Sequence, residues 1–341
     1  MKRYKNLKKL LLAVVLFIFV ILMVFVISYK NAIEKPLSSN ESTILIEVKQ
    51  GEGFYDILNK LDKEDKLSNK LLLKVKLAID KKNIKLKEGI YEINTDSSLE
   101  ELISYLENET GVKSFIKFTI PEGYSVEEIG TVLEEKEICS KEDFIKAVKN
   151  YDLPKYVSNS KQKRYNLEGF LYPDTYFVEE GLGAENIVKI MLNRFEDVLK
   201  QVKDETKVDI KDEDVEKIIT IASMIEKEAK VQKDRPLISS VIYNRLNKNM
   251  KLEIDAAVIY ALGYHVDVVL NKHLEINSPY NVYKYEGLPA GPIASPGINC
   301  IKAAVLPEKT DYLYYNLQKD DSHYFTKSYD DFLKKKKELG Y

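Results

Sequence analysis

Residues 212–229 read DEDVEKIITIASMIEKEA, and the helical character of the chain is read outward from this run. Asp212, Glu213 and Asp214 open it, where negative charge suits the positive end of a helix dipole. Val215, Ile219, Ala222 and Ala229 then recur at spacings of four, three and seven, which puts them on one stripe at 100° per residue. Glu226 falls on the same stripe, four residues after Ala222, whereas Glu228 points roughly 200° away from it. The spacing therefore predicts a helix with one acid on its apolar face and another looking outward. A carboxyl in an apolar setting has its pKa raised, because desolvation penalises the charged form. A general acid for a glycosidic oxygen needs that property near neutral pH. The residues alone equally allow a buried acid paired with an arginine such as Arg235 or Arg245.

Downstream of residue 145 the pattern stays mainly helical until a proline- and glycine-rich loop at 277–297. A hairpin with strands at 312–317 and 324–326 follows, and an amphipathic helix at 329–339 closes the chain. Upstream, a small α/β region starts with a strand at 44–48 and a turn at 49–53. A helix with Phe54, Ile57, Leu58 and Leu61 on one face comes next. A similar phrase, Phe118-Thr119-Ile120-Pro121-Glu122-Gly123-Tyr124-Ser125, recurs 72 residues later with Val126, Ile129 and Leu133 in the apolar positions, and Ser140 corresponds to Ser68. Between the two lie a strand at 89–93 and a helix at 98–106, an order that fits an α+β module.

Residues 10–29 carry no charge, and twenty helical residues cover roughly 30 Å, a bilayer core. Lys2, Arg3, Lys5, Lys8 and Lys9 precede the run and Lys30 follows it, so the N-terminus is expected in the cytoplasm and the rest outside. The run exceeds a signal-peptide core and no A-x-A site follows, which favours an uncleaved single-pass anchor in the cell membrane over a leader. Residues 30–42 read as a polar linker. A net charge of -2 from 52 basic and 54 acidic residues argues against nucleic-acid binding. Cys139 and Cys300 are far apart, and His265, His273 and His323 lack ligand spacing, so no metal and no other cofactor is expected.

The run Ile221-Ala222-Ser223-Met224-Ile225-Glu226-Lys227-Glu228-Ala229 resembles the catalytic signature of the endolytic murein transglycosylases, a YceG-like family. Four further stretches resemble the same family in the same order. They are Leu167-Glu168-Gly169-Phe170-Leu171-Tyr172-Pro173-Asp174-Thr175-Tyr176, then Val241-Ile242-Tyr243-Asn244-Arg245-Leu246, then Leu252-Glu253-Ile254-Asp255 with Val258-Ile259-Tyr260. The last is Ser278-Pro279-Tyr280-Asn281-Val282-Tyr283, which runs into the 287–297 loop. Five ordered matches between residues 167 and 297 make a specific signal. Ala256-Ala257 stands where the family often has a proline-containing pair, and Ala290 where a second proline is common, departures that touch loop rigidity more than chemistry.

The resemblance implies an α+β chain: a basic tail at 1–9, the membrane helix at 10–29, the linker at 30–42, a LysM-like module at 43–112 and a mainly helical transglycosylase domain at 113–341. It implies a lyase that cuts the MurNAc-GlcNAc bond within peptidoglycan strands, leaves 1,6-anhydroMurNAc ends, and works on nascent strands beside peptidoglycan synthases. Glu226 is then the acid and base. Glu168, Tyr172, Asp174, Asn244, Arg245, Asp255, Tyr280, Asn281 and Tyr283 are substrate-binding candidates. Sugar binding needs aromatic faces, and the chain offers 23 tyrosines but no tryptophan. The alternatives are a muramidase, for which Asp174, Glu168 or Asp255 would supply a second carboxylate, and a non-catalytic, membrane-anchored peptidoglycan-binding scaffold.

Overall fold

A computed structural model describes residues 2–39, 41–82, 84–108 and 115–340 and divides the chain into two compact units that meet between Phe115 and Ile116. The expected boundary at 112/113 lies outside the described residues.

The first unit begins with helix α1 (Lys2–Glu34), whose stretch Leu16–Glu34 is long and apolar enough to cross a membrane. Strand β1 (Thr43–Val48) pairs antiparallel with β2 (Gly89–Asn94), with Ile44 opposite Ile93 and Ile46 opposite Tyr91. Alternation sends Ile44, Ile46 and Val48 to one face, and helices α2 (Phe54–Lys63), α3 (Lys70–Asp80) and α4 (Leu99–Glu107) close over it. A Ser98/Glu101 capping box starts α4, where each side chain satisfies a backbone N–H at the helix end. The segment read as a linker is instead part of this packing. α1 runs on to Glu34, Ala32 is buried, and Leu37 bridges to Leu67.

The second unit repeats the opening arrangement: strand β3 (Phe115–Thr119), helix α5 (Val126–Glu135) and helix α6 (Lys141–Asn150) parallel β1, α2 and α3. The N-caps of α3 and α6 are Asn69 and Ser140, so Asn69, not Ser68, is the counterpart of Ser140. β3 pairs with β4 (Thr175–Glu179), a strand inside the region expected to be helical. Tyr176 and Val178 alternate inward there, a two-residue period too short to stand out beside helices.

Helix α7 (Ala184–Thr206) and helix α8 (Asp212–Glu228) follow, then α9 (Arg235–Asn247), α10 (Asp255–Leu262), α11 (Asn271–Leu274) and α12 (Ile298–Val305). α8 lies against α9, α10 and α12, so every residue from Ile218 to Ile225 is buried, a far wider surface than the expected stripe. Its two hydroxyls stay satisfied by bonding within the helix, Thr220 to the Glu216 carbonyl and Ser223 to the Thr220 carbonyl. Strands β5 (Tyr314–Leu317) and β6 (His323–Thr326) pair antiparallel, and α13 (Tyr329–Leu339) ends the chain.

Gly169 shows how tightly the loops bear on α8. It sits at φ +84°, and a Cβ there would drive into Pro292 and stand 3.1 Å from the Ile219 Cγ2. Gly169→Ala should therefore lower unfolding free energy by about 2–4 kcal/mol, from left-handed strain plus overpacking, as read by denaturant unfolding.

Candidate active site

α8 is buried from Ile218 to Ile225 and leaves the core again in its last turn, and two loops are stitched across that end. The turn after β3 is fixed to the proline-rich loop by reciprocal bonds: the Gly123 N–H donates to the Ser295 carbonyl and the Ser295 N–H to the Tyr124 carbonyl, each at 2.8 Å. The Ile293 N–H donates to the Ser223 hydroxyl at 3.1 Å, and Lys227 Nζ reaches the Gly123 carbonyl at 3.2 Å. These bonds carry the loop to the helix end, where the Gly297 N–H donates to the Glu226 carboxylate at 2.9 Å. The Cys300 thiol, in the first turn of α12, faces the same carboxyl, and burial together with the charge of Glu226 raises its pKa.

Glu226 thus occupies a polar, partly open setting rather than the apolar face its spacing predicts. The helix stripe passes out of the core at this turn, and backbone from two loops replaces apolar packing. Neither arginine considered as a partner forms an ion pair with it. Arg245 binds the carbonyls of Leu313, Lys251 and Leu252 and the Glu253 carboxylate. Arg235 is hydrogen-bonded to Gln232 and acts on this corner through its charge.

Glu122 stands beside Glu226, a neighbour that reading the sequence did not single out. Its carboxyl lies over the bare Cα of Gly297, where any Cβ would overlap it. Partial enclosure by the protein and the charge of Glu226 push its pKa up, with Arg235 opposing. The phrase Pro121-Glu122-Gly123 reads as turn chemistry, and Gly123 at φ +81° fulfils it. Only its placement between a strand and a capped helix hints at more. Tyr172 lies at the same corner, its hydroxyl against the Ile298 amide. Burial pushes it up to about 12, with Glu122 among its charged neighbours.

Glu228 does not look outward. The residue is half-buried, its carboxyl is enclosed and accepts from the Tyr315 hydroxyl at 3.1 Å, and burial pushes it up to about 7, with Asp255 adding to the rise. Asp255 itself is exposed at the start of α10 and accepts from the Tyr283 hydroxyl at 2.6 Å. The last turn of α8 therefore presents two acids to different surroundings: Glu226 to Gly297, Cys300 and Glu122, and Glu228 to Tyr315 and Asp255.

The remaining candidates hold the frame. Glu168 is fully buried and accepts from the Val126 N–H at 2.9 Å and the Tyr260 hydroxyl at 2.7 Å. One carboxyl so joins the start of α5 to α10, and burial pushes it up to about 7. The ring of Tyr280 packs on Tyr260, and its hydroxyl accepts from the Arg164 N–H. Asn281 is buried, donates to the carbonyls of Leu274 and Ile276, and accepts from the N–H groups of Tyr283 and Lys284. Asn244 donates to the carbonyls of Thr310 and Tyr312, and Asp174 pairs with Arg194 at 2.7 Å. Cys139 and Cys300 are both free thiols, and no cluster of metal-ligating side chains occurs among the described residues.

Residues 46–338 match the YceG-like family. The endolytic murein transglycosylase of Bacillus subtilis (strain 168) is 34% identical over 312 residues, covering 88% of this chain and 85% of that protein. The endolytic murein transglycosylase of Streptococcus pneumoniae serotype 2 is 30% identical over 310 residues, and the chain spans 55% of that longer protein. The crystal structure of a YceG-like protein from Listeria monocytogenes superposes with a TM-score of 0.58 at 32% identity, covering 87% of this chain and 99% of that one.

The raised carboxyls give stability a definite pH dependence. Glu168 and Glu228 rise from 4.5 to about 7 in the folded chain, so between those values the folded state keeps protons that the unfolded state has lost. Unfolding free energy should fall as pH climbs through this window and level off above it. Denaturant unfolding across the window should show a shallower slope in Glu168→Gln than in the wild type.

Proposed function

The chain belongs to the YceG-like family, and from that premise we infer that it is an endolytic murein transglycosylase, a lyase that cuts peptidoglycan glycan strands internally. The observation that carries the chemical reading is Glu226: a carboxyl just past the buried stretch of α8, in its open C-terminal turn, steadied by the Gly297 N–H.

In the proposed reaction the Glu226 carboxylic acid gives its proton to the oxygen joining N-acetylmuramic acid to N-acetylglucosamine, and the glycosidic bond breaks. The carboxylate then takes the proton of the muramyl 6-hydroxyl, whose oxygen bonds to the anomeric carbon and closes the 1,6-anhydro ring. The proton lent in the first step returns in the second, so no water is consumed, whereas an inverting hydrolase needs another carboxylate to activate one. The Gly297 N–H stabilises the carboxylate between the two steps without itself changing charge.

Asp255 and Tyr283 are the candidates placed to meet the sugar directly, since the first is exposed and the second half-buried. Glu168, Tyr280, Asn281, Asn244 and Arg245 spend their polar groups on the frame, and Tyr172 and Asp174 hold the loop beside Gly297 and Arg194. Their effect on substrate is through the shape of the cleft. The part of unit one after α1 is read as a LysM-like glycan-holding module, supported by its strand-helix-helix order. α1 is read as an uncleaved anchor with its basic end in the cytoplasm, which keeps the enzyme beside nascent strands and their synthases.

Glu226→Gln keeps an acceptor for the Gly297 N–H and so should fold normally, yet lose strand cleavage by at least about 100-fold. Mass spectrometry of digested glycan strands checks this: anhydromuramyl ends from the wild type alone support the lyase, ordinary reducing ends a hydrolase. A reporter joined to the C-terminus should be active outside the cytoplasm, and a cytoplasmic signal would reverse the orientation.

A further inference from the structure

Glu122 is the one carboxyl at this corner that the mechanism above leaves unused. It sits on a turn whose flanking residues are locked to Ser295 from both directions, so its backbone is held relative to the 292–298 loop. Two acids meet at a single residue there. Gly297 donates its N–H to Glu226, and its lack of a Cβ makes room for the Glu122 carboxyl. The turn also lines the Glu226 stem, since a Cβ on Gly123 would stand 3.7 Å from the Glu226 Cγ. Yet Glu122 has no hydrogen bond or ion pair among the described residues, and it remains open to solvent. A carboxyl kept without a partner beside another acid contributes little to the fold. Its physical effect is on the charge of its neighbour.

We propose that Glu122 is a positioning residue for proton transfer: beside Glu226 it completes a carboxyl pair that holds one proton until the glycosidic oxygen accepts it through Glu226, and that takes one back from the 6-hydroxyl. This rests on the reading of Glu226 as acid and base. Two carboxylates at one site cannot both ionise without repulsion, so the pair retains one proton across a pH range where a lone acid would lose it. Donation leaves both ionised, and the repulsion is relieved when the muramyl hydroxyl proton returns. The other groups facing the corner are Arg235, which favours ionisation, Lys227 at the Gly123 carbonyl, Cys300 on α12, and Tyr172 with Arg194 behind it. Arg235 opposes the rise at Glu122 without cancelling it, for burial and the charge of Glu226 together still leave Glu122 shifted upward.

The test is the pH–rate profile of glycan-strand cleavage by the full chain in detergent, for wild type, Glu122→Gln, Glu122→Asp and Glu226→Gln. Because Glu122 is exposed and unpartnered, the glutamine variant should fold with unchanged thermal unfolding. Its alkaline limb should move down by about one pH unit, and the aspartate variant should return the limb toward wild type. A limb that stays in place in Glu122→Gln, or moves equally in both variants, would overturn the proposal. Should Glu122→Gln turn over too slowly for a profile, carboxyl carbon NMR titration reads the same midpoint without catalysis: a downward shift supports the role and none refutes it. Cleavage that persists in Glu226→Gln would remove the mechanism itself. An inactive Glu226→Gln with an unmoved limb in Glu122→Gln would remove only the role of Glu122.

Discussion

The second unit depends on the burial of α8 on every side. A helix with its middle in the core from Ile218 to Ile225 must find packing partners all round, and α9, α10 and α12 supply them. Beyond that stretch the helix leaves the core, and Glu226 and Glu228 lie in its C-terminal turn. The loops that pass this turn are not free to drift. Gly169 admits Pro292 against α8, Ser223 takes the Ile293 N–H, and Ser295 exchanges bonds with the 123–124 turn. The position of the Gly297 N–H over Glu226 follows from those constraints.

Burial also gives four acids four different tasks. Glu168 is sealed in the core, where its two oxygens tie the start of α5 to Tyr260 on α10 and it contributes to architecture. Glu228 is enclosed under Tyr315, in the field of Asp255. Glu122 is open on one side and feels the charge of Glu226 on the other. Glu226 meets a backbone donor and a thiol. Carboxyls that look alike in sequence are separated here by solvent access and by the charge nearest each of them, the two effects that govern their proton affinity.

Many of the polar residues in the matching stretches turn their polarity inward. Arg245 and Asn244 capture carbonyls at 310–313, and Asn281 satisfies four backbone groups of its own loop. Loops carry backbone groups that no helix or strand pairs, and buried ones must find partners. Side chains with several donors are the economical means of supplying them. A polar residue inside a signature stretch can therefore shape the site without touching what it binds.

Local signals were legible where neighbours in sequence decide them. The acidic start of α8, the helix opening at Ser98 and the strand character of β1 all express contacts within a few residues, and these elements form where the pattern places them. The apolar run of α1 and the five ordered stretches belong to the same class, and the stretches led to the family. The five-residue strand β4, the inward turn of Glu228 and the packing of residues 32–37 were not legible, since each depends on an element distant in the chain. Glu122 is the clearest case: it lies 104 positions before Glu226, and they become neighbours through bonds made by Ser295 and Gly297. The pattern along the chain was enough to place α8, the apolar run of α1 and the acid that carries the family signature. Which acids share a corner was settled by the fold, because proximity across it is set by loop backbone bonds that have no periodicity to read.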